Sequence, residues 1–110
     1  MVELVKRLHI FATIHPKPEF FEKAKTALEQ LVPPTLEEPG CHLFTVLESK
    51  DEPGILHLFE IFDNEDAVQE HYAQDYTKDV FAKYQDWLAA PVKIQHMSPA
   101  SMSSAEQFYA

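Results

Sequence analysis

The sequence predicts a single α+β domain of the ferredoxin-like class, with its elements in the order β-α-β-β-α-β. Strand-like and helix-like segments follow one another in that order, and the second helical segment is interrupted near Gln74. The length of 110 residues and the hydrophobic content of 45% fit one compact domain. We expect residues 1–97 to form this domain, and residues 98–110 to form a C-terminal tail that is mobile or packs on a partner subunit.

The first two elements are a strand and a helix. Residues 4–14 are rich in β-branched and aromatic side chains and are followed by Pro16, which cannot continue a ladder. From Pro18 the apolar residues follow a helical period as far as Val32, and proline is tolerated in the first turn of a helix. We expect the pair Pro33–Pro34 to end or kink this helix, because neither residue has a backbone N–H.

A hairpin follows the first helix. Residues 41–49 and 54–62 have the composition of strands, and the segment between them contains Asp51, Pro53 and Gly54, which favour turns. The two strands are therefore expected to pair antiparallel.

The broken helix and the last strand complete the order. Asp63 or Asn64 can cap a helix over residues 64–73, since both side chains accept hydrogen bonds from a first helical turn. After the interruption, apolar residues recur at helical spacing up to Leu88. Residues 91–97 then have the pattern of a fourth strand.

Both faces of the predicted sheet are largely apolar. In the third strand His57 and Phe59 alternate with Leu58 and Phe62, so each face carries apolar side chains. Helices can cover one face of a four-stranded sheet, and the other face then needs a different cover. We predict a homodimer in which two sheets pack face to face.

The composition excludes several classes of partner. The chain has nine basic and eighteen acidic residues, and its net charge of −9 disfavours binding to nucleic acid and to anionic membranes. The N-terminal segment fits neither a signal peptide nor a membrane span, so we expect a cytoplasmic protein. Its single cysteine, Cys41, excludes an intrachain disulfide and a cysteine-cluster metal site.

His71 and Glu60 are the candidates for chemistry. Helical spacing puts His71 on the apolar side of its helix, where an imidazole can act as a general base. Glu60 interrupts an apolar strand face and needs a partner such as His71 or Arg7. The aromatic residues expected to form the wall of a binding site are Phe62, Tyr72, Tyr76, Phe81 and Tyr84. The alternative is that these rings are ordinary core and that His71 only bonds a strand carbonyl.

Three other histidines raise the possibility of a metal site. His9, His57 and His96 lie on the first, third and fourth strands, which are neighbours in a ferredoxin-like sheet. Their facing is not fixed by the sequence. Uncoordinated histidines are commoner in sheets than ligands, so we expect no metal.

Two segments resemble the antibiotic biosynthesis monooxygenase family: VPPTLEEPGCHLF (residues 32–44) and FEIFDNEDAVQEHYAQDYTKDVF (residues 59–81). The first contains the E-x-G-C pattern that leads into the second strand in small members of the family. The second contains E-x-W/Y-like and A-x-x-x-H patterns, the latter ending at His71. The resemblance extends from Val5 to about Met97.

The resemblance implies a dimeric α+β barrel with a pocket between the sheet and the short helices. Members similar to quinol monooxygenases oxidise phenols or quinols with O₂ and use no flavin, metal or haem. His71 would then be the base and Glu60 the acid of the family, while Tyr72 and Tyr76 would bond or stack the ring. Phe62 stands where many members have tryptophan, and it can stack but not donate a hydrogen bond.

Two alternatives to a monooxygenase remain. A branch with the same fold isomerises phosphorylated sugar-like signals, but such substrates favour basic pocket residues, and this chain offers few. The second alternative is a non-catalytic dimer that binds a ligand or serves in a stress response.

Overall fold

The computed structural model describes residues 7–101, and its elements follow the predicted order. The strands and helices are β1 (Leu8–Ile14), α1 (Phe21–Leu36), β2 (Cys41–Glu48), β3 (Leu56–Phe62), α2 (Glu65–Tyr72), α3 (Asp75–Trp87) and β4 (Lys93–Met97). A 3₁₀ turn at Pro18–Phe20 leads into α1. The predicted ferredoxin-like α+β fold, with its broken second helix, is confirmed. Most of the predicted C-terminal tail lies outside the described residues.

The four strands form one antiparallel sheet in the order β2-β3-β1-β4. In β1 the pair Ile10–Glu60 faces the helices, whereas the next pair, Phe11–Phe59, faces away from them. A register irregularity between Cys41 and Leu43 starts β2. The register therefore fixes Glu60 in the layer between sheet and helices.

The expected end of the first helix at Pro33–Pro34 is wrong, because α1 continues through both prolines to Leu36. The prolines deprive the carbonyls of Glu29 and Gln30 of their helical donors, but both of these residues are exposed and water can reach them. Thr35 remains fully buried on the sheet side. Burial of that face holds the last turn in place, and this turn leads directly to Glu38.

The second helix begins at a side-chain cap. Asn64 Oδ1 accepts a hydrogen bond from the backbone N–H of Ala67 at 3.0 Å. Of the two predicted caps, Asp63 and Asn64, it is therefore Asn64 that caps the helix. Gly40 lies against this helix, and a Cβ at that position would come within 2.5 Å of the Cβ of Ala67. Glycine thus permits the close approach of the loop before β2 to the helix that carries His71.

The core lies between one face of the sheet and the three helices. It includes Ile10, Leu28, Phe62 and Val68, all of which are fully buried. Phe81, predicted to form part of the aromatic wall of a binding site, keeps 38% of its surface exposed. No helix among the described residues covers the other sheet face, which carries Phe11, Thr13, Leu43, Leu47, His57, Phe59 and Met97.

The three strand histidines do not converge, which removes the metal site considered above. His9 and His57 are on the outer sheet face, but His57 pairs with Thr13, four residues along β1 from His9. His96 pairs with Ile10 and therefore faces the opposite side. Within residues 7–101 no group of three or more potential ligands could hold a metal ion. In the same part of the chain, no helix is long and apolar enough to cross a membrane.

Candidate active site

A small cavity lies between the inner sheet face and the helices. Its volume, taken as the space open to the centre of a water molecule, is about 20 Å³, which is room for about one water. The residues that line it are Ala12, Ile14, Leu31, Phe44, Leu58, Glu60, His71, Tyr72, Thr77, Val80, Phe81, Tyr84, Val92 and Ile94. The wall is thus mainly apolar, with polar atoms from a few side chains only.

His71 lies on this wall with one ring nitrogen held by a carboxylate. Only 3% of the residue is exposed, and its Nδ1 lies 3.0 Å from Glu38 Oε2. The rings of Phe44 and Phe62 pack beside the imidazole, with centroid distances of 5.6 and 5.2 Å. Since a carboxylate accepts at Nδ1, the tautomer with its proton on Nδ1 is favoured, and Nε2 is then the basic nitrogen.

Glu38 is a site residue for which the sequence suggested no role. Its Oε2 also accepts a hydrogen bond from the hydroxyl of Tyr76, which lies 3.3 Å from the carbonyl oxygen of Pro34 as well. Glu38 is the acid of the E-x-G-C pattern, so a signal was present in the sequence. Its partner, however, is 33 residues away, and only the folded chain brings the two together.

Glu60 is a buried acid that forms no ion pair within residues 7–101. The residue is 5% exposed, and its Oε1 has no hydrogen-bond partner among the described residues. Burial, assisted by the negative charge of Glu38, raises the pKa of Glu60 to about 8. At neutral pH the carboxyl group is therefore mostly protonated and can donate a hydrogen bond into the cavity, as protonated acids do in other apolar sites.

Thr77 is a polar residue of the cavity wall to which the sequence gave no role. It is 2% exposed, and its Oγ1 is buried without a partner in the part of the chain described. Nothing in the sequence distinguishes it from an ordinary threonine in the first turn of α3. Only the folded structure shows that Thr77 lines the same cavity as Glu60 and His71.

Three of the predicted aromatic residues line the cavity. Tyr72 packs against Phe81 at 5.7 Å, and Phe81 packs edge-on against Tyr84 at 5.5 Å. Burial first, and then the charge of Glu60, raises the pKa of both tyrosine hydroxyls. These hydroxyls stay protonated at neutral pH and can act as hydrogen-bond donors.

The other two predicted aromatic residues lie behind the wall. Phe62 is fully buried and contacts the ring of His71, whereas the Tyr76 hydroxyl bonds Glu38. Neither lines the cavity. Cys41 is also buried, and burial together with the charge of Glu38 raises the pKa of its thiol to about 12. A thiol of this kind is protonated and unreactive at neutral pH.

A family of known proteins matches this chain in sequence. The family described as "Antibiotic biosynthesis monooxygenase" matches residues 7–83, which is most of the chain. The chain belongs to the antibiotic biosynthesis monooxygenase family.

Relatives support this membership in sequence and in structure. The Mycobacterium tuberculosis protein named "Putative monooxygenase Rv0793" is 28% identical over 96 residues, covering 87% of this chain and 94% of the relative. Its solved structure superposes with a TM-score of 0.83, covering 89% of this chain and 99% of that chain at 26% identity.

Two further solved structures share the fold. Protein SO0527 from Shewanella oneidensis has a TM-score of 0.78 at 26% identity, covering 88% of this chain and 96% of its own. A structure named "Putative antibiotic biosynthesis monooxygenase" from Nitrosomonas europaea has a TM-score of 0.84 at 19% identity, covering 94% of this chain and 100% of its own. At that identity, the second likeness concerns the fold alone.

Proposed function

We propose that this member of the family is a cofactor-independent monooxygenase that oxidises a small uncharged phenol or hydroquinone with O₂. The observation that carries the proposal is the pair of His71 and Glu38, which presents an oriented imidazole to an apolar cavity. A base of this kind is what an electron-rich phenol needs before it can reduce O₂ itself.

The roles of the residues follow from their contacts. His71 Nε2 takes the proton of the substrate hydroxyl, and Glu38 stabilises the imidazolium that forms. Tyr76 donates to the same carboxylate oxygen and acts as a positioning residue. Tyr72, Phe81 and Tyr84 contact the ring of the substrate, and Phe62 supports the imidazole from behind.

The reaction balances without a further redox partner. The phenolate gives one electron to O₂, the resulting radical and superoxide combine at a ring carbon, and the peroxide loses water. For a hydroquinone, four electrons leave the ring in total: one oxygen atom forms the new C–O bond, and the other becomes water with two hydrogens from the substrate. Glu60, while protonated, can deliver the proton that the departing oxygen needs and recover one from His71.

The wall of the cavity favours an uncharged ring. Glu38 and Glu60 lie close to His71, and none of the described residues that line the cavity is a lysine or arginine. A phosphorylated sugar would face acidic groups without a cation, which argues against the isomerase alternative. Because the cavity holds about one water, a ring enters only when an exposed wall residue moves, and Phe81 and Ile94 each keep 38% exposure.

A homodimer is part of this proposal. The outer sheet face presents Phe11, Phe59 and Leu43 without a covering layer among the described residues. A second copy of the chain provides a matching apolar face, since the same patch occurs on both subunits.

Oxygen consumption tests the proposed activity. Metal-stripped protein is incubated with a panel of hydroquinones, and wild type is compared with His71→Ala and with the matched outer-face variant His57→Ala. We expect saturable uptake above autoxidation for wild type and His57→Ala, and a loss of about a hundredfold or more in kcat for His71→Ala. Equal rates in the two variants would refute His71 as the base, and no uptake by wild type would refute the activity and favour the non-catalytic ligand-binding alternative.

A further inference from the structure

The cavity wall carries two buried polar residues that the binding of the first substrate hydroxyl does not use. Glu60 on β3 and Thr77 on α3 both line it, and in each residue a buried side-chain oxygen lacks a hydrogen-bond partner among the described residues. Leaving such oxygens unpaired costs stability, and a packed apolar side chain could fill either position. Two unpaired polar side chains from different elements on one small cavity therefore point to a ligand.

We propose that Glu60 and Thr77 bind the second oxygen of the substrate, so that the site selects an uncharged ring carrying two oxygen substituents. This inference rests on the proposed function in one respect: the first oxygen is the hydroxyl that faces His71. The carboxyl and hydroxyl groups both donate to the second oxygen. Thr77 is thereby a specificity-determining residue.

The surroundings of Glu60 are consistent with a donor. Glu38 and Cys41 are near enough to interact electrostatically with Glu60, and His71, Tyr72 and Tyr84 line the same cavity from the helices. Burial raises the pKa of Glu60 to about 8, so the carboxyl group is mostly protonated at neutral pH. A carboxylate at this place would repel an anionic ring, whereas a carboxylic acid bonds a neutral oxygen.

A packing role for Thr77 makes a different prediction. If its hydroxyl served no ligand, Thr77→Val would change the affinity for every ring by a similar factor, since valine has nearly the same shape. If the hydroxyl binds an oxygen, only ligands that carry that oxygen lose affinity. The thermal midpoint of the unliganded Thr77→Val protein should be equal or higher, because a buried unpaired hydroxyl is removed.

Binding under nitrogen separates these cases, because no turnover occurs without O₂. Titration calorimetry compares hydroquinone with 4-methylphenol, which replaces one hydroxyl by a methyl group of similar size. The proteins are wild type, Thr77→Val, Glu60→Gln and the control Thr26→Val, whose threonine is exposed on α1. We expect wild type and the control to prefer hydroquinone by about threefold to tenfold.

The variants should then alter this preference in distinct ways. Thr77→Val should lose most of the preference while its affinity for 4-methylphenol changes less than about twofold. Raising the pH from about 6 to 9 should weaken hydroquinone binding to wild type but not to Glu60→Gln, whose amide remains a donor; both ligands stay neutral, with a pKa near that of tyrosine, about 10. The other titratable groups around Glu60 are the same in both proteins.

Three results would overturn the inference: no measurable binding of hydroquinone by wild type, no preference over 4-methylphenol, or an unchanged preference in Thr77→Val. Its failure is distinguishable from that of the proposed function. A hydroquinone preference without oxygen uptake would refute the monooxygenase and leave this site standing. Oxygen uptake by a protein that does not prefer hydroquinone over 4-methylphenol would refute this site and leave the monooxygenase standing.

Discussion

The inner and outer sides of the sheet each surround a histidine with aromatic rings, yet they give it different hydrogen-bond partners. On the inner side, His71 is buried beside Phe44 and its Nδ1 bonds the Glu38 carboxylate at 3.0 Å. On the outer face, His57 stacks on Phe11 at 4.9 Å and its Nδ1 lies 3.2 Å from the hydroxyl of Thr13. Aromatic surroundings alone therefore do not separate the two histidines; the carboxylate partner and the adjacent cavity distinguish His71.

The two sides also differ in how their apolar surface is buried. The inner face is covered by helices of the same chain, so its burial does not depend on protein concentration. In the proposed dimer a second molecule covers the outer face, and any stability gained there depends on concentration by mass action. The effects of substitutions on the two sides can therefore be distinguished by whether they depend on protein concentration.

The largest effect is expected from Phe62→Ala on the inner side. Phe62 is fully buried in the core and packs against His71. Its loss should lower the free energy of unfolding by about 3 to 5 kcal/mol at every protein concentration. Phe81→Ala, which removes a ring that is 38% exposed, should cost much less. Urea unfolding at two concentrations checks this, and equal costs for the two variants would contradict it.

The next effect tests the partner of the inner histidine. Glu38→Gln keeps the shape of the side chain but removes the charge that stabilises a protonated His71. We expect kcat for oxygen uptake to fall by about a hundredfold, with a smaller change in KM. Thr13→Val, which removes the partner of the outer histidine, should change kcat by less than about twofold. A loss of similar size in both variants would remove the distinction between the two histidines.

Sequence patterns predicted the fold because its signals are local. Alternation along residues 54–62 sets the strand faces, and Asn64 is recognisable as a helix cap from its position before acidic residues. The end of α1 was mispredicted, because burial of Thr35 outweighs the backbone bonds lost at the two prolines. Tertiary packing overrode a strong local rule there.

The candidate site was less predictable because its contacts join distant segments. Helical spacing alone could place His71 on an inner face, but Glu38 becomes its partner only when the loop before β2 packs on α2. The facing of His96 required the register of β4, which its short flanking loop does not specify. Thr77 carried no signal, since an unpaired hydroxyl is a property of the folded environment.

The outer face gives the third prediction. Phe59→Asp places a charge in the middle of the apolar outer surface while leaving the inner core intact. If two sheets pack face to face, the dissociation constant of the dimer should rise at least about thirtyfold, equivalent to about 2 kcal/mol. Analytical ultracentrifugation measures this, with Thr26→Asp on the exposed side of α1 as the control. A wild-type monomer at micromolar concentration would refute the dimer.

The smallest effect concerns Glu60, the buried acid of the inner side, and depends on pH. Burial raises the pKa of Glu60 from its ordinary 4.5 to about 8, so between these values the folded chain holds a proton that the unfolded chain has lost. The stability linked to this proton is fully present below pH 4.5 and is lost as the pH rises through 8. From about pH 6 to 9 the free energy of unfolding of wild type should fall by about 2 kcal/mol more than that of Glu60→Gln. Parallel curves for the two proteins would mean that Glu60 is already ionised in the folded chain at about pH 6, and burial between sheet and helices would then not hold its proton.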